Sequence, residues 1–211
     1  MKPELEDYVL RHIDPQPENL RKLDRLTNLR LLNGRMCSGH LQGRLLKMLT
    51  GMINPKRALE LGTFSGYSAL CIAEGMEEDA ILDTFEIDDE LEDFIREALH
   101  DSPHGHKVRL NIGDAAPVVA GWEKESLDLV FIDADKRAYR DYYNMVFPLV
   151  RKGGYIIADN TLWDGHVTEP PEKQAAQTRE IVAFNDMVAN DERVEKVIIP
   201  LRDGLTIIRK L

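Results

Sequence analysis

Asp133, Asp159 and Asn160 close two apolar runs of strand type, Phe131-Ile132-Asp133-Ala134-Asp135-Lys136 and Tyr155-Ile156-Ile157-Ala158-Asp159-Asn160. If the two runs are neighbours in a parallel sheet, these three side chains converge at its C-terminal edge, where open α/β sheets bind ligands. Two carboxylates and an amide oxygen suit a hard divalent cation, Mg²⁺ first and Mn²⁺ or Ca²⁺ as alternatives, with waters or substrate oxygens in the remaining positions. Lys136 lies one helical turn beyond Asp133, which puts an amine beside the cation and makes it a candidate general base. The plainer role for Asp133 is to cap the next helix; that accounts for one residue and not for three.

A second constellation precedes this one. Glu60-Leu61-Gly62-Thr63-Phe64-Ser65-Gly66-Tyr67-Ser68 ends a strand and opens a helix. Its glycines allow a sharp turn and close approach of a ligand to the backbone. The spacing is GxxxG and not the GxGxxG of dinucleotide binders. Glu60 inside that turn would repel a pyrophosphate and attract a cation such as an amino group. Glu86, 24 residues after Gly62, ends the next strand, where a carboxylate suits the two ribose hydroxyls of an adenosine. Gly113-Asp114-Ala115 ends the third, a position for an adenine edge. Each feature alone has an ordinary reading as a turn glycine or a solvated glutamate; together, at successive strand ends, they describe a nucleoside site.

The elements that must position these residues are legible from periodicity. Helical stretches are expected over Pro3–Ile13, Pro17–Leu32 and Leu41–Ile53. Strands are expected over Arg57–Leu61, Ile81–Ile87, Lys107–Ile112, Leu127–Asp133, Gly154–Asp159, Val194–Pro200 and Leu205–Arg209. Helices between most of them imply parallel pairing with right-handed crossovers. Asp203-Gly204 is a hairpin signal, so the last strand should run antiparallel. The stretch from Gly165 to Lys173, with Pro170-Pro171, reads as a loop and a flap near the site.

Composition limits the function classes. The 211 residues, 43% hydrophobic, suffice for one domain over 1–211, a helical cap at 1–55 and an α/β core at 56–211. A net charge of −10 argues against broad nucleic-acid or anionic-membrane binding. Met1-Lys2-Pro3-Glu4-Leu5-Glu6-Asp7 lacks the apolar core of a signal peptide, and no apolar run approaches a membrane span. Cys37 and Cys71, without a CxxC, fit small buried side chains in a reducing cytoplasm, so a cytoplasmic location is expected. His100, His104 and His106 read as an exposed loop, whereas His40 and His166 flank the site segments.

Taken together, these residues resemble the metal-dependent class I O-methyltransferases that use S-adenosyl-L-methionine, of the caffeoyl-CoA and catechol O-methyltransferase family, in a bacterial-type member. The resemblance starts at Met36-Cys37-Ser38 with Gln42-Gly43 and runs through the 60–68 and 131–136 segments. It continues into Asp159-Asn160-Thr161-Leu162-Trp163 and closes at Asp203-Gly204. It implies a Rossmann-like α/β fold whose seven-stranded, mostly parallel sheet has its last strand antiparallel. Helices would cover both faces, and extra N-terminal helices would cover substrate and form a homodimer. It implies cofactor contacts from Ser38, Glu60, Gly62, Ser68, Glu86, Asp114, Ala115, Asp133 and Asp135, and metal ligation by Asp133, Asp159 and Asn160. Lys136 and Asp133 would be catalytic, and Trp163 and Asp164 would face a small aromatic substrate. Two departures bear on that substrate: Asp164 replaces an Asn that touches substrate in the plant enzymes, and Asp135 replaces a Trp that walls the pocket of the catechol enzyme.

The expected activity is methylation of a vicinal diol on a small aromatic acceptor. A hydroxyuridine of tRNA is the alternative acceptor within methyl transfer. A nicotinamide-dependent oxidoreductase would want the absent GxGxxG, and a non-catalytic S-adenosylmethionine-binding protein would have lost part of the metal set.

Overall fold

Three helices begin the chain because its apolar residues recur at helical spacing. They are α1 (Pro3–Arg11), α2 (Glu18–Arg30) and α3 (Gly39–Ile53). Leu20, Leu23 and Thr27 form the buried stripe of α2. The computed structural model describes residues 3–211. Met1 and Lys2, part of the stretch read for a signal peptide, lie outside the described residues.

From residue 57 strands and helices alternate: β1 (Arg57–Leu61), α4 (Tyr67–Gly75), β2 (Ile81–Glu86), α5 (Glu92–His100), β3 (Val108–Ile112) and α6 (Ala115–Val119). They continue as β4 (Leu127–Ile132), α7 (Tyr139–Val146), β5 (Val150–Asp159), α8 (Ala176–Ala189), β6 (Val194–Ile199) and β7 (Leu205–Lys210). Internal packing divides the chain into two compact units. The first comprises residues up to Lys56 with Thr63–Gly113; the second comprises Arg57–Gly62 with Asp114–Leu211. Among the described residues no helix is long and apolar enough to cross a membrane.

The seven strands form one sheet in the order β3-β2-β1-β4-β5-β7-β6. β4 lies parallel between β1 and β5, while β7 is antiparallel to both β5 and β6, as its hairpin signal required. Strand order reverses between β1 and β4, the position where such sheets open a ligand crevice. Leu59, Leu129, Val130, Phe131 and Ile132 are all buried, as near-continuous apolar runs in a sheet covered on both faces must be.

One strand differs from the sequence reading. β5 begins at Val150 and not at Gly154, with a register irregularity where Leu127 pairs Val150 and Leu129 pairs Tyr155. Gly153, at φ 75°, lies within the irregular stretch, and pairing with β4 carries the strand through it. The segment read as a flap forms two short 3₁₀ turns, Trp163–Thr168 and Pro171–Lys173.

Candidate active site

Asp133 follows β4 directly and Asp159 ends β5. The last parallel pair is Ile132↔Ala158. The next residue on each strand is therefore an aspartate, at neighbouring positions about 4.8 Å apart across the sheet and on the same face. Asp159 is 5% exposed, and its Oδ1 accepts the Asn160 amide N–H at 2.8 Å. Asn160 sits at φ 56°, a left-handed conformation that Asn tolerates better than most residues. Its Nδ2 donates to Asp203 Oδ2 at 3.3 Å. An ionised carboxylate only accepts, so Asp203 selects the NH₂ end of the amide and leaves the oxygen for a cation.

The β6–β7 turn clamps the whole segment that follows β5. Leu162 and Trp163 donate their N–H groups to the Asp203 carbonyl at 2.7 and 3.1 Å, and Thr161 N–H donates to the Gly204 carbonyl at 3.2 Å. Thr206 Oγ1 donates to Thr161 Oγ1 at 2.8 Å, and Asn185 of α8 donates to the Thr161 carbonyl at 2.8 Å. Sequence reasoning gave Asp203 only a turn role; its function as the Asn160 orienter was missed.

Lys136 Nζ donates to Asp133 Oδ1 at 2.6 Å, both side chains being mostly buried. The capping role that competed for Asp133 belongs to Asp135, whose Oδ1 accepts the Arg137 N–H at 3.1 Å. The Arg137 side chain, hydrogen-bonded to Asp135, also holds that carboxyl below its usual range. Asp114 is likewise an N-cap, accepting from Ala116 N–H at 3.0 Å.

Tyr139, also missed from the sequence, lies beneath the trio. Its hydroxyl donates to the Asp159 carbonyl at 2.9 Å, with the Ile132 carbonyl 3.4 Å away. Burial, with the Asp133 and Asp159 carboxylates, pushes its phenol well above the ordinary value, so it stays a neutral donor.

The donors fit a hard cation: all three are oxygens, two are carboxylates, and the amide is already turned. Among the described residues no group of three or more His, Cys, Asp and Glu side chains is placed to hold a metal, so the set depends on Asn160. The histidines take other work. His40 bonds the Asp14 carbonyl, His106 pairs with Glu78, and His166 pairs with Glu169 at 2.7 Å.

Of the residues expected at the cofactor, Ser38, Ser68 and Glu86 lie in the first unit and Glu60, Gly62, Asp114, Ala115, Asp133 and Asp135 in the second. Glu86 Oε2 accepts from Phe64 N–H at 2.6 Å and Oε1 from Asp88 N–H at 3.0 Å, so this carboxylate shapes the glycine turn. Glu60 is fully buried. Gly62 has a reason of its own: at φ 97° a Cβ there would overlap the carbonyl of Asp133. The backbone at Asp133 itself, besides any cofactor, demands glycine.

The O-methyltransferase family model matches residues 11–211. The chain belongs to the O-methyltransferase family. It is 34% identical to caffeoyl-CoA O-methyltransferase 2 of Zea mays over 93% of this chain and 78% of that one. The methyltransferase also superposes on TomG of Streptomyces achromogenes, solved with SAM and involved in tomaymycin synthesis. There the TM-score is 0.89 at 25% identity, covering 100% of this chain and 99% of TomG. An SAH-bound methyltransferase of Podospora anserina gives 0.88 at 27% identity, covering 100% and 97%. The chain is thus an S-adenosylmethionine-dependent O-methyltransferase. In this methyltransferase Trp163 is half-buried and Asp164 exposed, both with positive φ, at 46° and 51°. Trp163 therefore stands outside the fully buried core. Next to them, Glu169 pairs with His166, whose pKa that hydrogen bond raises.

Proposed function

We propose that this methyltransferase methylates one hydroxyl of a catechol-like vicinal diol on a small aromatic acceptor. Asp133, Asp159 and Asn160 would hold a divalent cation, with Mg²⁺ the natural choice for oxygen ligands. The observation that carries the proposal is the pair of aspartates leaving β4 and β5 side by side, followed by an Asn whose amide is turned by Asp203. The caffeoyl-CoA enzymes at about one-third identity support the acceptor class.

Methyl transfer from a sulfonium to oxygen is an in-line displacement: the O–C bond forms as the S–C bond breaks, and the hydroxyl proton leaves. Much of the catalysis is positioning. A divalent cation, when bound, would lower the pKa of a hydroxyl it contacts and anchor a second one beside it. Glu60 and Glu86 would meet the amino group and ribose of the cofactor, and Trp163 would lie against the acceptor ring. Lys136 donates to Asp133 in this structure and so orients that carboxylate, standing beside the place where the acceptor hydroxyl would lose its proton.

The test is methyl-label transfer from S-adenosylmethionine to a catechol, its mono-phenol and bulk tRNA, with and without chelator. Chelation should abolish turnover and Mg²⁺ or Mn²⁺ restore it. A lone phenol loses the second anchor, and a misplacement of about 1 Å costs on the order of 100-fold. Full activity in excess chelator, or equal kcat/KM for catechol and mono-phenol, defeats the proposal; transfer to tRNA alone replaces the acceptor.

A further inference from the structure

One buried side chain touches the backbone of both aspartate-bearing strands and the amine between them. Tyr139, at the start of α7, is 0% exposed. Its hydroxyl has one proton, given to the Asp159 carbonyl at 2.9 Å, and it also lies 3.4 Å from the carbonyl of Ile132, the residue before Asp133. These carbonyls lie where the β4–β5 ladder ends, past which no further pair holds the strands together. The ring is fixed edge-on against Phe184, centroids 5.5 Å apart, and Lys136 Nζ stands 5.2 Å above its face.

We propose that Tyr139 is a positioning residue of the cation site, its hydroxyl setting the spacing of the Asp133 and Asp159 backbones and its ring seating Lys136. The inference rests on the reading that Asp133, Asp159 and Asn160 hold a divalent cation. Tyrosine suits the task because it spans from the helix to the strand ends as one rigid unit and donates without carrying charge. Groups that orient metal ligands from behind commonly change metal affinity by about 10–100-fold when removed.

The experiment is Mn²⁺ binding, read from the free-ion electron paramagnetic resonance signal with neither S-adenosylmethionine nor acceptor present. Tyr139→Phe removes only the hydroxyl, so the ring contact with Lys136 stays. Tyr143→Phe is the control: it lies on the same helix, is equally buried, and loses a hydroxyl bonded to Asp191 at 2.9 Å, away from the trio. Tyr139→Phe should raise the Mn²⁺ dissociation constant about tenfold or more. Tyr143→Phe should leave it unchanged although its melting temperature falls comparably. Tyr139→Phe binding within twofold of wild type overturns the inference, as does equal weakening in Tyr143→Phe, which would mean general loosening. Asp159→Asn separates the two readings: wild-type Mn²⁺ binding that this variant leaves intact overturns the cation site itself and the inference with it.

Discussion

Replacing Gly62 by Ala should damage this protein far more than the same change at Gly66 in the same turn. Both have positive φ, 97° and 82°, so each substitution carries the conformational cost of that region, about 1–2 kcal/mol. At Gly66 the nearest atom to an added Cβ is Ile95 Cγ2 at 3.5 Å, an ordinary contact. At Gly62 the Cβ would overlap the Asp133 carbonyl oxygen and lie 2.7 Å from its carbon. Backbone cannot rotate aside as a side chain does, so overpacking adds about 1–3 kcal/mol, bringing the total to about 2–5 kcal/mol. For a chain of this size each kcal/mol lowers Tm by about 2–4 °C. Gly66→Ala should therefore melt only a few degrees low, while Gly62→Ala falls by about 10 °C. Any relief at position 62 must come from displacing Asp133, so Mn²⁺ affinity should drop in Gly62→Ala and hold in Gly66→Ala. Urea and thermal denaturation with Mn²⁺ titration measure both. Equal destabilisation in the two variants would refute the crowding argument, and a destabilised Gly62→Ala with unchanged Mn²⁺ affinity would refute its link to the site.

Two further outcomes follow from single contacts. Glu86→Ala should weaken S-adenosylmethionine binding by on the order of 1.5–3 kcal/mol for each charge-assisted hydrogen bond lost, with Glu86→Gln milder because it keeps an acceptor for Phe64 N–H; calorimetry showing unchanged affinity in Glu86→Ala would reject the ribose role. Asp191, whose carboxyl the Arg193 side chain holds well below the usual range with help from Tyr143, stabilises the fold when ionised. Because its folded pKa is depressed, that contribution is present above the unfolded value of about 3.9 and is lost as pH falls below it. The stability gap between wild type and Asp191→Asn should therefore be wide at neutral pH and close on acidification, and a pH-independent gap in urea melts would contradict this.

How much of the site could be read in advance depended on how local its signals were. Asp133 and the Asp159-Asn160 pair were legible because they end two apolar runs of strand length, and Asp203-Gly204 because a hairpin is a two-residue signal. The sequence falls short where a local pattern has a non-local cause. The strand read from Gly154 begins at Val150, since pairing with β4 carries it back through the two glycines. Gly62 has a second reason the chain does not announce, since the carbonyl it must avoid belongs to Asp133, 71 residues away.

The amino-acid sequence by itself determined where β4 and β5 finish, the antiparallel final hairpin and which oxygen-bearing side chains follow those strands. These follow from side-chain periodicity and turn chemistry within a few residues. Only the tertiary structure decided how those oxygens are aimed. Asp203 turns the Asn160 amide from 43 residues away, and Tyr139 reaches the Asp159 carbonyl across 20. A hydrogen bond between such distant residues leaves no spacing rule in the chain, because its geometry exists only after β4, β5 and β7 have paired and α7 has packed beneath them.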